Sequence, residues 1–351
     1  MKRTITKLPA VAATLLTLAS VSHIPASQAA EVNLRFAHFW PATSGIAKTL
    51  ESWANQVEKD SNGRINVDIY PAQTLSKAVQ TYDSVVKGIA DVGVSIQGYT
   101  ANRFPITQIV ELPGIVETGE QGSCVVQNLY EEGTFKDEYN DAHVLFLFTH
   151  GPGHIHTKGK LVEQPSDMAG MTIRRPTVVA GELLKAAGAE PVGLAAPEMY
   201  GAMSRGVING VALPWEALTS FRLNELADKH TEIGLYSLAF VASMNKRTYQ
   251  RMPPDLKAVI DKNSGEAWAR KLGAAYDILD VNGIEQARAA GDEIYTVTGG
   301  VNNPAWKPVV DAAVASYSQE LSSHGIQVAD IYQHAQQLSK SCETRVSSLQ
   351  E

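Results

Sequence analysis

The chain has 351 residues, with 30 Lys and Arg against 37 Asp and Glu, a formal net charge of −7, and 44% hydrophobic residues. An acidic balance is a poor match for nucleic acid or an anionic membrane, so an anionic ligand has to be held by a local basic site against the overall field. About 320 residues remain beyond an N-terminal targeting segment, more than one comfortable core holds, which predicts two lobes.

Residues 1–29 read as an export signal. Lys2, Arg3 and Lys7 form a basic start, Leu8 to Val21 is mostly apolar or small, and Ser27-Gln28-Ala29 places small residues at the third and first positions before a cut. The apolar run is too short and too interrupted to span a bilayer, and no second run of spanning length follows. No Cys follows the cut, which argues against a lipid anchor. Cleavage removes three bases and no acids, leaving 27 against 37 and a balance of −10. The expected product is exported and soluble, periplasmic in a Gram-negative source. Cys124 and Cys342 then sit in an oxidising compartment. A disulfide tying the C-terminal helix to the first half is expected, with two separate buried thiols as the alternative.

Val32 to Phe36 alternates as a strand, and His38-Phe39-Trp40-Pro41 follows as a loop. Ser44 caps a helix whose apolar face is Ile46, Leu50, Trp53 and Val57, ending at Asn62-Gly63. Ile65 to Tyr70 is a second alternating strand, and a helix through Val79, Val85 and Val86 leads to a third, Val92 to Ile96. This alternation predicts a parallel sheet with right-handed crossovers. Phe39, Trp40, Gln97 and Tyr99 fall in the loops after these strands, where a cleft would lie. Aromatics there suggest a ligand wall, with core packing under a loop as the alternative. A helix around Cys124 to Tyr130 and an apolar strand, His143 to Thr149, read as a buried central one, complete the first unit.

Gly151-Pro-Gly153 marks a crossover to a second unit with the same alternation. Its strands are His154 to Thr157, Met171 to Arg174, Glu190 to Leu194 and Gly210 to Leu213; its helices run from Val179 to Ala187 and from Pro197 to Arg205. Pro176 stops the strand that ends in Arg174-Arg175. That leaves a guanidinium at a strand's carboxyl end, where open α/β sheets collect ligands and where a planar fork suits a carboxylate. A surface salt bridge is the competing use of such a pair. Leu213, Trp215 and Glu216 fall at the corresponding end of a neighbouring strand. Ala239 to Met244 returns to the first lobe. Pro254 to about Ala290 reads as one helix of ~50 Å, long enough to lie along both lobes if unbroken. A short strand, Ile294 to Val297, and two closing helices follow, from Pro304 to His324 and from Val328 on. The expected lobes are residues 30–151 with 240–279, and 152–239 with 280–351.

Several blocks recur together: Asn62-Gly-Arg-Ile with Tyr70-Pro-Ala-Gln-Thr-Leu, Gly88-Ile-Ala-Asp-Val-Gly93, and Asp167 to Pro176. Pro197-Glu-Met-Tyr with Arg205-Gly-Val-Ile-Asn-Gly210, and Met244-Asn245, complete the set. In this order and spacing they resemble the periplasmic solute-binding proteins of tripartite ATP-independent periplasmic (TRAP) transporters, of the dicarboxylate-binding type. The resemblance covers nearly the whole chain beyond the signal. It implies an α/β, two-lobed periplasmic binding protein fold with a hinge and a long helix along both lobes, no catalytic role and no cofactor. It also implies delivery to membrane permease subunits, and a ligand carboxylate gripped by Arg174, with Arg175 pointing to the opposite face. Where the family often places an Asn before the proline after the next strand, this chain has Leu213. Together with Phe39, Trp40, Tyr99 and Trp215, that departure turns the expectation towards an organic acid with an apolar or aromatic body. The protein is expected to act as a monomer.

The rival class is an exported metal-binding protein or metal-dependent hydrolase using His150, His154 and His156, since His-Ile-His on a strand puts both imidazoles on one face. Partner ligands at recognisable offsets are missing, and His154 bonding a ligand oxygen is the nearer use. The chain has no G-x-S-x-G, Walker or dinucleotide glycine loop.

Overall fold

In the computed structural model, which describes residues 30–100 and 102–350, the strands divide between two sheets. The export signal expected at residues 1–29 lies outside the described residues. The first half of the chain supplies β1 (Val32–Ala37), α1 (Gly45–Asp60), β2 (Ile65–Tyr70), α2 (Thr81–Val86), β3 (Val92–Ile96), α3 (Gly119–Glu131) and β4 (Ala142–Thr149). Next come β5 (Gly153–Thr157), β6 (Thr172–Arg175), α4 (Val178–Ala186), β7 (Glu190–Gly193), α5 (Met199–Ser204), β8 (Gly210–Leu213), α6 (Trp215–Ser220) and β9 (Lys229–Tyr236). β10 (Ala239–Asn245) precedes α7 (Lys246–Arg251), α8 (Pro254–Lys262) and α9 (Glu266–Ala290). β11 (Glu293–Thr296), α10 (Lys307–Ser323) and α11 (Val328–Gln350) end the chain. None of the described helices is long and apolar enough to cross a membrane.

The first sheet has the order β2-β1-β3-β10-β4, and the second β11-β9-β5-β8-β6-β7. β1 runs parallel to β2 and β3, whereas β10 inserts antiparallel between β3 and β4. β6 is parallel to both β7 and β8. The chain therefore changes sheet three times, after β4, after β9 and again after β10.

Local chemistry explains the elements. Ser44 caps α1 by accepting from the Ala47 amide at 3.1 Å, and the helix buries Ile46, Leu50, Trp53 and Val57 as its period requires. Asp91 accepts from the amide and Nε of Arg35, fixing β1 beside β3.

Three expectations are corrected. The apolar strand β4 is at the edge of its sheet, not its centre; α3 and α9 pack against it, so its run is buried without a second strand neighbour. β9 was not foreseen, because its sequence, KHTEIGLY, carries charged residues and a glycine that mask its alternation. The long helical stretch is broken at Asn263 to Gly265: Gly265 takes φ 77° and gives its amide to Leu145 O at 2.8 Å, a backbone turn that suits glycine. The remaining α9 has 25 residues. At about 37 Å it still reaches both halves, packing on α3 and β4 at one end and on α6 and β11 at the other.

Cys124 and Cys342 are joined, with Cα atoms 5.9 Å apart. The bridge clasps α11 to α3, where Gln121 also donates to Ser339 Oγ at 2.6 Å and Tyr332 to Pro113 O at 2.6 Å. The halves also meet through Thr177, the N-cap of α4, which donates to Glu111 Oε2 at 2.7 Å. Gly98 permits this approach, since a Cβ there would come within 2.3 Å of Thr177 Cγ2. Glu111 is fully buried, its Oε1 has no partner among the described residues, and burial pushes its carboxyl up to about 8. A neutral acid tolerates that setting better than a carboxylate does.

Two outcomes follow. Replacing both cysteines by serine frees a crosslink spanning 218 residues, which should cost about 2–4 kcal/mol in thermal unfolding under oxidising conditions. Between the ordinary carboxyl range and about 8, folded Glu111 keeps a proton that the unfolded chain releases, so its contribution is complete at low pH and is lost as pH rises through about 8. Glu111→Gln should therefore flatten the decline of Tm between pH 5 and pH 8.5; parallel declines in the two proteins would assign the slope elsewhere.

Candidate ligand-binding site

The carboxyl ends of β1 and β3 face those of β6 and β8 across the junction, and between them lies a cavity with about 310 Å³ of empty space, open solvent included. Its polar end is Arg174, only 1% exposed. The side chain threads between the ends of β7 and β8: Nε donates to Leu194 O at 3.0 Å, Nη1 to Ala212 O at 3.2 Å and Nη2 to Tyr99 OH at 3.1 Å. All three acceptors are neutral oxygens, and no carboxylate pairs with Arg174 among the described residues. A guanidinium has five N–H groups, so one on each Nη remains available. Arg175 packs instead over Gly181 and Gly193, away from the cavity.

Tyr99 comes from the other half of the molecule. Its hydroxyl accepts from Arg174 and from the Ala196 amide at 2.9 Å, and burial raises its pKa, so it keeps its own proton to donate. The remaining walls are aromatic. Phe39 stacks on Trp40 at 3.9 Å between ring centroids and lies parallel to Phe221 at 6.4 Å. Phe240, from β10, packs on Trp40 and Tyr276 at 5.7 Å each. Leu213 adds an apolar side. Glu216 also lines the cavity; Ser220 donates to it, but burial dominates and pushes its carboxyl up to about 7.

Of the residues singled out in the sequence, Arg174, Tyr99, Phe39, Trp40, Leu213 and Glu216 meet at the cavity, whereas Gln97, His154 and Trp215 do not. Gln97 is turned into the core, donating to Tyr139 OH at 3.0 Å. His154 Nδ1 accepts from the amides of Ile233 and Gly234 at 3.2 Å each. Trp215 gives its indole N–H to Glu232 Oε1 at 3.2 Å and packs on His156 and His230, because the first turn of α6 sends adjacent residues to opposite sides. Phe221, Phe240 and Tyr276 were not foreseen. Phe240 sat in a strand read only as returning to the first lobe, and Tyr276 on a helix whose facing partner only the fold reveals.

The geometry gives the metal reading no support. His156 lies between His230 Nδ1 at 2.9 Å and Leu213 O at 3.2 Å, His154 is occupied by backbone amides, and His150 Nδ1 is bonded to Gly151 O. The three imidazoles do not converge, and among the described residues no three His, Cys, Asp or Glu side chains are grouped to hold an ion.

Residues 36–320 match the family described as bacterial extracellular solute-binding protein, family 7 (DctP). A TRAP solute-binding protein from an unidentified marine microbe, specific for aromatic acid ligands and in complex with 3-hydroxybenzoate, is 35% identical. It has a TM-score of 0.85 over 89% of this chain and 99% of that one. One from Rhodoferax ferrireducens T118, with copurified benzoate, is 33% identical with a TM-score of 0.85 over 90% and 99% of the two chains. One from Bordetella bronchiseptica, with bound (R)- and (S)-mandelate, is 26% identical with a TM-score of 0.80 over 88% and 99%. The two-sheet fold, the cleft at the strand ends and these likenesses agree: the chain belongs to the DctP family of TRAP-transporter solute-binding proteins.

Proposed function

We propose that the organic acid this protein captures for TRAP permease subunits is an aromatic monocarboxylate. The observation that carries this reading is Arg174, a buried cation with only neutral oxygens around it and two N–H groups left over. A charge removed from water without a counter-ion is costly, and an entering carboxylate relieves that cost by a bidentate pairing in a water-poor site. Among the described residues one cation, Arg174, lines the cavity, which favours a single carboxylate over a dicarboxylate. The walls of Phe39, Trp40, Phe221, Phe240 and Tyr276 suit the faces and edges of a flat ring. The relatives solved with 3-hydroxybenzoate, benzoate and mandelate support the same class.

The finer expectations belong to this proposal. The protein works as a monomer after its first 29 residues are cleaved in the periplasm. Its lobes comprise residues 30–151 with 240–279 and 152–239 with 280–351, the bridge holding α11 to the first. Tyr99 and Arg174 meet across the cleft when the lobes close, so the ligand carboxylate completes a contact between them.

Titration calorimetry should show that benzoate binds, whereas neutral benzamide and acetate, which lacks the ring, bind far more weakly. Arg174→Ala should weaken benzoate binding by about 2–5 kcal/mol, or ~30-fold and upward, while the unliganded protein still folds. Near-native affinity in that variant would place the anchor elsewhere.

A further inference from the structure

His150 takes part in neither the carboxylate grip nor any metal cluster, yet it stands in the cavity wall at 1% exposure. Its surroundings fix both its position and its tautomer. Ser237 Oγ donates to its backbone carbonyl at 2.8 Å, and its Nδ1 is bonded to the carbonyl of Gly151. A carbonyl only accepts, so Nδ1 must carry the proton and Nε2 presents a bare lone pair. Among the described residues Nε2 has no hydrogen-bonding partner. The ring lies among aromatic walls, 5.8 Å from Tyr236 and 6.0 Å from both Phe240 and Tyr276 between centroids. Burial holds the imidazole down to about 3, so it stays a neutral acceptor throughout the physiological range.

The cavity thus has a donor end, Arg174 with Tyr99, and a separate buried acceptor. We infer that His150 Nε2 selects aromatic acids that carry a hydrogen-bond donor, a hydroxyl or amino group, on the ring, accepting that proton while Arg174 holds the carboxylate. This rests on the reading of the cavity as an aromatic-acid site. A buried polar atom left unpaired costs free energy, so a ligand that pairs it gains over one that does not. Glu216 also offers an acceptor in the wall, although Ser220 donates to its Oε1, and the variants below separate the two.

The test uses calorimetry on the wild type with benzoate and with its 2-, 3- and 4-hydroxy and corresponding methoxy derivatives. One hydroxy isomer should bind about 10-fold more tightly than benzoate, and its methoxy counterpart, which cannot donate, should lose that gain. His150→Leu should bring the hydroxy-to-benzoate affinity ratio close to one, and His150→Gln, which restores an acceptor oxygen, should recover part of it. A ratio that persists in His150→Leu would hand the hydroxyl to Glu216 and overturn the inference. So would methoxy acids that match their hydroxy partners, a comparison made on the wild type alone and independent of how the variants fold. If benzoate binds and no hydroxy isomer gains, the role of His150 falls while the aromatic-acid reading stands; if no aromatic acid binds at all, that reading itself falls.

Discussion

A positive charge held out of water with no negative partner is the constraint that the rest of this structure serves. Arg174 is surrounded by Leu194 O, Ala212 O and Tyr99 OH, each of which orients the guanidinium but leaves its charge uncompensated. Hydrogen bonds from neutral oxygens make the burial tolerable, and they fix the direction in which the spare N–H groups point. Because two of the three acceptors sit at the ends of β7 and β8 and the third on the opposing half, the cation is correctly aimed only when the halves are together.

The closeness of the halves has its own chemistry. Gly98 gives Thr177 room, Thr177 caps α4 and reaches Glu111, and Glu111 stays protonated in a setting that would penalise a carboxylate. Few charged groups have to be desolvated at this junction apart from Arg174. A polar but neutral seam costs less to open and shut than one built on buried ion pairs.

Much of this was legible in the sequence where local rules decide. Ser44 and the period of α1 announced a capped amphipathic helix, and the proline after Arg174-Arg175 marked a strand end, which in this architecture is where ligands gather. Phe39 and Tyr99 were found by that rule, whereas Arg174 and Leu213 needed the family resemblance as well. Residues brought in by tertiary contacts were not. Phe240 lies on a strand that crosses back between the halves, and Tyr276 on the long helix read as lying along both lobes, whose period does not say which of its residues meets the cavity. Trp215 and Glu216 are neighbours, and only the orientation of α6 decides which of them meets the cavity. The break at Gly265 was hidden because one glycine inside a helical period often is tolerated; its amide bond to Leu145 settles the matter here.

α9 carries Asp277, which accepts from the amides of Gly119 and Glu120 at the start of α3 at 2.5 and 2.9 Å, and Asp280, which accepts from the amide of Glu216 at the start of α6 at 2.6 Å. Gly273 and Gly283 let the helix backbone come against Gly119 and Trp215, so each end of this contact is seated directly on a helix terminus. α3 follows the first sheet and α6 the second, yet the two anchoring carboxylates are less than one helical turn apart. A rod pinned at two such close points behaves as an axle rather than a beam. A rotation of one half against the other about α9 would accordingly disturb these two caps less than any change that bent the helix.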